Sequence, residues 1–417
     1  MDLNTEREIL KPLVEELLKF ALLPIQATKK ELWGLHQTLM LADKIPVCVY
    51  YEGIPSTQWE LMLGKNILKT VSPLAREIEF DLRKRLWMVK NVPDDHIVWP
   101  MVTIRAVVSR QADWGVPVKW VGIDKDDNNP EHARKIEPPF KNGIENEKIL
   151  FTNLDIANRE TAKLVNHAAE LLDGKLSVFV YYENLGFSPF DRAVEFRGIE
   201  KLLYDVVDAP EKVKALMGVI TDSMILHHRN REEKGWINAY SPDNKYLAVP
   251  MRVHAAPVRK DFDQRKLRLF DEWAYVSSQT SSGLGPDMYA EFVQPYNEKL
   301  AEFFTRKTVY YHGCESLDQK ASIIKKLPNL RRFHISPWSD IMAIREETED
   351  SFVYEIHDHP GKVFFGMNKK DMKASIKKLV DAAKGAIFDL NLSDIHSVNG
   401  NPMLLKDWAE AAQEAVQ

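Results

Sequence analysis

Cysteine is scarce in this chain. The 417 residues hold two, Cys48 and Cys314. Two cysteines exclude a disulfide framework and indicate a reducing compartment, so a cytoplasmic protein is expected. No apolar run approaches ~18 uninterrupted residues, which gives no support for a transmembrane helix. The opening Met1-Asp2-Leu3-Asn4-Thr5-Glu6 has neither a basic stretch nor an apolar one, so no signal peptide is expected. A basic excess is missing too. The formal charge of -5 argues against broad nucleic-acid binding, which needs a cationic surface. The phosphate-binding G-x-x-x-x-G-K-[ST], the dinucleotide G-x-G-x-x-G, and the H-E-x-x-H, C-x-x-C and G-x-S-x-G patterns are all absent. Nucleotide-dependent chemistry and serine hydrolysis therefore lack sequence support. Gly283-Leu284-Gly285 has no third glycine and runs into Pro286-Asp287, as a turn entering a helix does.

What remains is ordinary globular material, 45% hydrophobic and 28% charged, long enough to bury a large core. Glu8 to Leu22 repeats leucine and valine at helical spacing, and Lys29 to Leu41 predicts a second helix. The pattern then changes. Ile45 to Tyr51 is a short apolar run ending at Glu52-Gly53 and predicts a buried strand. Further strands are predicted at Val102 to Val108, Leu176 to Tyr182, Leu267 to Trp273, Thr308 to His312, Leu330 to Ile335, Phe352 to Ile356, Val363 to Phe365 and Ala386 to Leu392. Helices are predicted between many of them, at Asp208 to Arg231, Pro286 to Lys307, Ser316 to Lys326 and Lys369 to Lys384. Alternating strands and helices indicate parallel β/α units, and about eight of them suggest a closed ring. The expected fold is α/β, a TIM-type (β/α)8 barrel. Residues 1–44 form an amino-terminal helical extension and residues 45–417 the barrel. Gly235 to Gln264 reads as a hairpin insertion, and Asp113 to Gly143 as a polar excursion.

The most informative stretch for chemistry is Tyr310-Tyr311-His312-Gly313-Cys314-Glu315. Side chains alternate along a strand, so His312 and Cys314 would project to one side near its carboxyl end, where barrel enzymes place their sites. Imidazole nitrogen and thiolate sulfur both suit zinc, and a catalytic zinc needs at least three protein ligands. A buried Cys beside a hydrogen-bonded core His would give the same pattern. Cys48 falls inside the first strand, so a carboxylate is the expected third ligand, with Glu272 the choice and Asp394 and His396 behind it. Glu52 and Glu183 each follow Tyr-Tyr at a strand end, where burial would raise the carboxyl pKa and suit a proton donor. Tyr51, Tyr182 and Trp273 would line a pocket for a flat ring. His357-Asp358-His359-Pro360 reads as a solvated loop, and His227-His228 as structural.

Several stretches in order resemble the uroporphyrinogen-decarboxylase-like superfamily. They are Phe187 to Phe190, Arg197 to Asp205, Ala209 to Val213, Gly283 to Tyr289, Phe292 to Tyr296 and Tyr311 to Cys314. Asn401-Pro402-Met403-Leu404-Leu405-Lys406-Asp407-Trp408 is similar to the end of its methyltransferase branch. The family's decarboxylases carry an arginine-rich signature on the first strand, which grips substrate carboxylates through guanidinium pairs. Here that stretch reads Tyr50-Tyr51-Glu52-Gly53-Ile54-Pro55, which disfavours porphyrinogen decarboxylation. The corrinoid-dependent methyltransferases keep His-x-Cys. Their thiol-methylating members add a second Cys, which has no counterpart here. The resemblance thus implies a methyltransferase that demethylates a methoxylated aromatic compound and passes the methyl group to Co(I) of a corrinoid (cobalamin-type) protein partner. Zinc would be its metal, and a homodimer its family-like assembly. Methylamine or methylthiol donors, and a divergent decarboxylase, are the alternatives.

Overall fold

The computed structural model describes residues 1–40, 42–51, 53–122, 134–183, 185, 188–238, 266–302 and 309–416. Among the described residues, eight short strands run parallel to their ladder partners. They are β1 (Val47–Val49), β2 (Met101–Arg105), β3 (Ser177–Tyr181), β4 (Ala274–Ser277), β5 (Val309–His312), β6 (Leu330–Ile335), β7 (Val353–Asp358) and β8 (Phe388–Leu392). Six of them form one sheet in the order β1-β8-β7-β6-β5-β4, and β2 pairs with β3 separately. The protein is therefore a mixed α/β structure built on a six-stranded parallel sheet.

Period-two alternation gives that sheet two unlike faces. Val309, Tyr311, Phe333, Ile335, Tyr354 and Ile356 point to one side, where helices cover them. Ile344 of helix Ile341–Thr348, Ile376 of Lys369–Ala383 and Trp408 of Met403–Ala415 belong to the same packed cluster. Each such side chain contributes about 1.5–3 kcal/mol by leaving water. The opposite face carries the intervening residues Tyr310, His312, Arg332, His334, Glu355, His357, Asp389 and Asn391, most of them buried. Polar groups buried on that scale need partners, and their pairing defines the candidate site described below.

Among the described residues, no strand pairs with the outer edge of β1. Asp95 and Asp94 take its place. The Val47 amide donates to Asp95 Oδ2 at 2.9 Å and the Val49 amide to Asp94 Oδ2 at 3.0 Å. The Asp95 amide donates back to Val47 O at 2.8 Å. Asn238 plays a related part next to β3. Its side chain accepts from the Tyr182 amide and donates to the Tyr182 carbonyl, both at 2.8 Å. These side chains satisfy backbone groups that a neighbouring strand would otherwise take.

The first two helices are Leu3–Ala21 and Ile25–Gln37. Asp2 caps the first by accepting from the Thr5 amide at 2.8 Å. Its Leu10, Val14 and Leu17 pack with Ile78, Leu82 and Leu86 of helix Pro73–Asn91. Trp33, on the second, donates to Asp95 O at 2.9 Å. Among the described residues no helix is long and apolar enough to cross a membrane.

Four sequence expectations differ from the structure. Leu267 to Trp273 is not a strand; it holds a 3-10 turn, Leu269–Asp271, closed by the Arg268 amide donating to Asp271 Oδ2 at 3.0 Å. The strand starts afterwards, at Ala274. Val363 to Phe365 lies in helix Pro360–Phe365, which Pro360 starts and the His359 side chain caps. Pro286 to Lys307 splits into Pro286–Phe292 and Gln294–Ala301, with Pro295 opening the second piece. Ser316 to Lys326 keeps one helical turn, Ala321–Ile324. The polar excursion contains an antiparallel pair, Lys119–Gly122 with Arg134–Glu137. Most of the expected hairpin, residues 239–265, lies outside the described residues.

Candidate metal centre and its cavity

β5 and β6 are neighbours, with Tyr311 in register with Phe333. His312 and His334 therefore stand side by side on the polar face. Their ring centroids are 4.2 Å apart. Two residues past His312, Cys314 brings its Sγ to 3.1 Å from His312 Nε2. Ligand atoms of His312, Cys314 and His334 all lie within 4.8 Å of one another, as they must to share one ion. Gly313 leaves room for side chains at this turn. A Cβ there would meet Leu317 Cδ2 at 2.9 Å and Glu315 Oε2 at 3.1 Å.

Tyr310 orders the two imidazoles. Its hydroxyl donates to Glu355 Oε1 at 2.7 Å. The same oxygen lies 2.8 Å from His312 Nδ1 and 3.0 Å from His334 Nδ1. A phenol has one proton to give, and it goes to the carboxylate. The oxygen then accepts two N–H bonds. Both rings are thereby assigned the Nδ1–H tautomer, which leaves the lone pair of each Nε2 for a ligand. Metal-binding histidines are commonly held this way by a hydrogen bond to the other ring nitrogen.

A charge network fixes Glu355 in turn. Arg332 donates to Glu355 Oε2 at 2.6 Å and pairs with Asp389 at 2.8 Å. His357 Nε2 lies 2.8 Å from Glu355 Oε1, and His36 Nε2 lies 2.7 Å from Asp389 Oδ2. Burial alone would raise both acids, but Arg332 and the imidazoles hold Glu355 and Asp389 below the usual carboxylate range. Burial lowers His312 well below an ordinary imidazole, and the His334 ring beside it adds to this. Burial, with His357 next, brings His334 down to about 4. Both rings are neutral at physiological pH, as ligands must be. The Cys314 thiol is pushed up to about 12 by burial and then by Asp394, Glu315 and Glu355. It would ionise near neutrality only against a cation. Glu315 follows directly, and burial raises it to about 7.

A cavity of about 440 Å3 opens at the carboxyl ends of β5–β8, with Cys314, His334 and His357 among its lining residues. Trp338, Phe364 and Phe365 supply aromatic wall, and His359, Asp394 and His396 the polar part. The Trp338 and His359 rings meet edge to face, 4.7 Å between centroids. Flat apolar walls converging on a few placed polar groups suit a small ring-shaped ligand.

The residues expected from sequence fall in different places. His312 and Cys314 come together. Glu272 does not join them. Its carboxylate accepts from Arg231 at 2.7 and 3.1 Å and from the Asn238 amide at 3.1 Å. It precedes β4, whose Ser277 is the residue in register with His312, so it sits five residues upstream, about 16 Å along extended chain. The structure puts His334 beside His312 and Cys314 instead. Trp273 is buried next to Glu272 rather than facing the 440 Å3 cavity. Tyr182 is held through its backbone by Asn238. Glu183 is exposed, so the burial expected of a proton donor is missing. Glu52 lies outside the described residues. Tyr51 packs on Trp59 and His96 and borders a separate cavity of about 230 Å3. His357 and His359, expected in a solvated loop, are respectively a buried member of the charge network and part of the cavity wall. Sequence reasoning missed Tyr310, His334 and Glu355 as site residues. Glu355 alternates with apolar neighbours on β7 and so gave a signal, whereas the adjacent Arg331 and Arg332 blur that pattern around His334 on β6.

No protein-family model matches the sequence, and no curated protein matches it. Among solved structures the chain is similar to a methyltransferase from Methanosarcina mazei. The match has a TM-score of 0.50 and covers 91% of this chain and 96% of that one, at 10% identity. At that identity the likeness is one of fold.

Proposed function

We propose that this chain is a methyltransferase of the uroporphyrinogen-decarboxylase-like superfamily. It removes the methyl group from an aromatic methyl ether and delivers it to a corrinoid carried by a partner protein. In this reading the six-stranded sheet and the β2–β3 pair are arcs of one (β/α)8 barrel. The side chains of Asp94, Asp95 and Asn238 lie at its two joins. The fold shared with the Methanosarcina mazei methyltransferase supports this class of activity.

The observation that carries the proposal is the pairing of a three-ligand cluster with an aromatic cavity. His312 and His334 offer neutral nitrogens, Cys314 offers sulfur, and Tyr310 sets both tautomers. That donor set fits zinc. Zinc held there would act as a Lewis acid toward the ether oxygen, which must leave as a phenolate. The chain's own residues do the rest. Phe364, which is buried, and the more exposed Trp338 and Phe365 give the ring an aromatic surface to pack on. Glu355, fixed by Arg332, keeps the Tyr310 hydroxyl turned so that its oxygen faces the two imidazoles. The packed strands fix the ligands before substrate arrives, which limits reorganisation during the reaction.

The test is to mix purified protein with a reduced corrinoid protein and a panel of methoxyphenols. Growth of the methyl-cobalt absorbance, lost in His334→Ala, is the expected result. No methyl-cobalt signal with any aromatic ether would refute the assignment. A signal with methylamines or methylthiols alone would move it to those donors.

A further inference from the structure

We propose that the cavity selects a neutral phenolic methyl ether and discriminates against methoxybenzoates. This rests on the aromatic-ether reading above and names its substrate class more narrowly. Recognition of a carboxylate normally uses arginine or lysine, most often a bidentate guanidinium. Among the described residues lining the cavity there is neither. Among the described residues of the polar face, the guanidinium is that of Arg332. It is fully buried and committed to Glu355 and Asp389, so it cannot turn to a ligand.

The charged side chain that does face the cavity is acidic. Asp394 follows β8 and takes a left-handed backbone conformation, φ +53°. Aspartate is among the few residues that adopt it without a large penalty. Ser393 anchors the turn: its hydroxyl lies 2.7 Å from His357 Nδ1 and donates to Asp394 Oδ2 at 3.3 Å. A phenol hydroxyl entering this cavity finds a carboxylate acceptor and forms a charge-assisted hydrogen bond. A benzoate entering it places like charge beside Asp394, within walls that are mainly apolar and aromatic. The two ligands share ring and methoxy group and differ in the one group the site treats oppositely.

Isothermal titration calorimetry on the full chain separates them. The ligands are 2-methoxyphenol and 2-methoxybenzoate, at about pH 8, where exposed imidazoles are neutral. The phenol is expected to bind about tenfold or more tightly than the benzoate. Asp394→Asn, on an exposed residue, should narrow that gap by weakening the phenol and strengthening the benzoate. Equal or tighter benzoate binding by the parent protein overturns this inference and leaves the aromatic-ether reading standing. An unchanged ratio in Asp394→Asn overturns the role given to Asp394. Heat from neither ligand overturns both readings, and binding of tetramethylammonium in their place would point to a cationic methyl donor.

Discussion

Replacing Tyr310 by Phe removes one oxygen and, on this account, loosens two ligands at once. The hydroxyl donates to Glu355 at 2.7 Å and lies 2.8 and 3.0 Å from Nδ1 of His312 and His334. In the variant two imidazole N–H groups and one carboxylate contact lose their partner inside a buried network. Each stranded group costs about 1–3 kcal/mol, and Glu355 keeps Arg332 and His357, so the net loss of stability should be about 3 kcal/mol. The ring tautomers are then no longer set, and zinc affinity should fall about 10- to 100-fold, the usual effect of losing such a supporting bond. Urea unfolding of the metal-free protein reads the first quantity. Competition with a chromophoric chelator reads the second. Lower stability with zinc affinity within about twofold of the parent would refute the tautomer argument and leave Tyr310 a packing residue.

Further outcomes follow from the same geometry. Arg332→Met leaves Glu355 and Asp389 buried without their cation and should cost about 3–5 kcal/mol, readable as a lower urea midpoint; a change under about 1 kcal/mol would contradict the network. Glu272→Gln weakens the buried pair with Arg231 and should destabilise the fold while leaving methyl transfer by the folded protein unchanged; lost activity at full folding would return Glu272 to the site. Stability without metal should depend on pH. Burial holds His334 at about 4 and keeps His312 and His36 below their ordinary value, so the unfolded chain takes up protons first as pH falls. The imidazole contribution is therefore complete above about pH 6.5 and is lost toward about pH 4, by on the order of 3 kcal/mol for His334 alone. Glu315, raised to about 7, acts in the opposite sense over the same window, so the measurement is made on Glu315→Gln. A flat urea midpoint for Glu315→Gln across that window would be inconsistent with neutral buried imidazoles.

Much of the fold could be read from the pattern of apolar runs, because buried parallel strands are short and continuous in sequence. Leu330 to Ile335 came out with its observed ends, and the first, third and last strands within two residues at each end. The run Leu267 to Trp273 misled for a local reason. The Asp271 side chain bonds the Arg268 amide and turns the chain, so the strand starts later at Ala274. That shift explains why Glu272 was chosen as a ligand, since a carboxylate placed after a strand lies near the site and one placed before it does not. His312 and Cys314 were legible because they share one short stretch. His334 was not, because its place beside them comes from the β5–β6 ladder, a contact between strands that periodicity within one strand does not encode. The aromatic cavity was illegible for a similar reason. Trp338, Phe364 and Asp394 come from three separate connections that meet only in the folded chain.

The central claim is that His312, Cys314 and His334 hold one zinc ion beside the cavity. Metal analysis of the folded parent protein and of His312→Ala, Cys314→Ser and His334→Ala, each checked for folding by circular dichroism, tests it most directly. The account predicts close to one zinc per parent chain and a large loss in each variant. A parent chain that takes up no zinc, or a folded His334→Ala that binds it as the parent does, would contradict it.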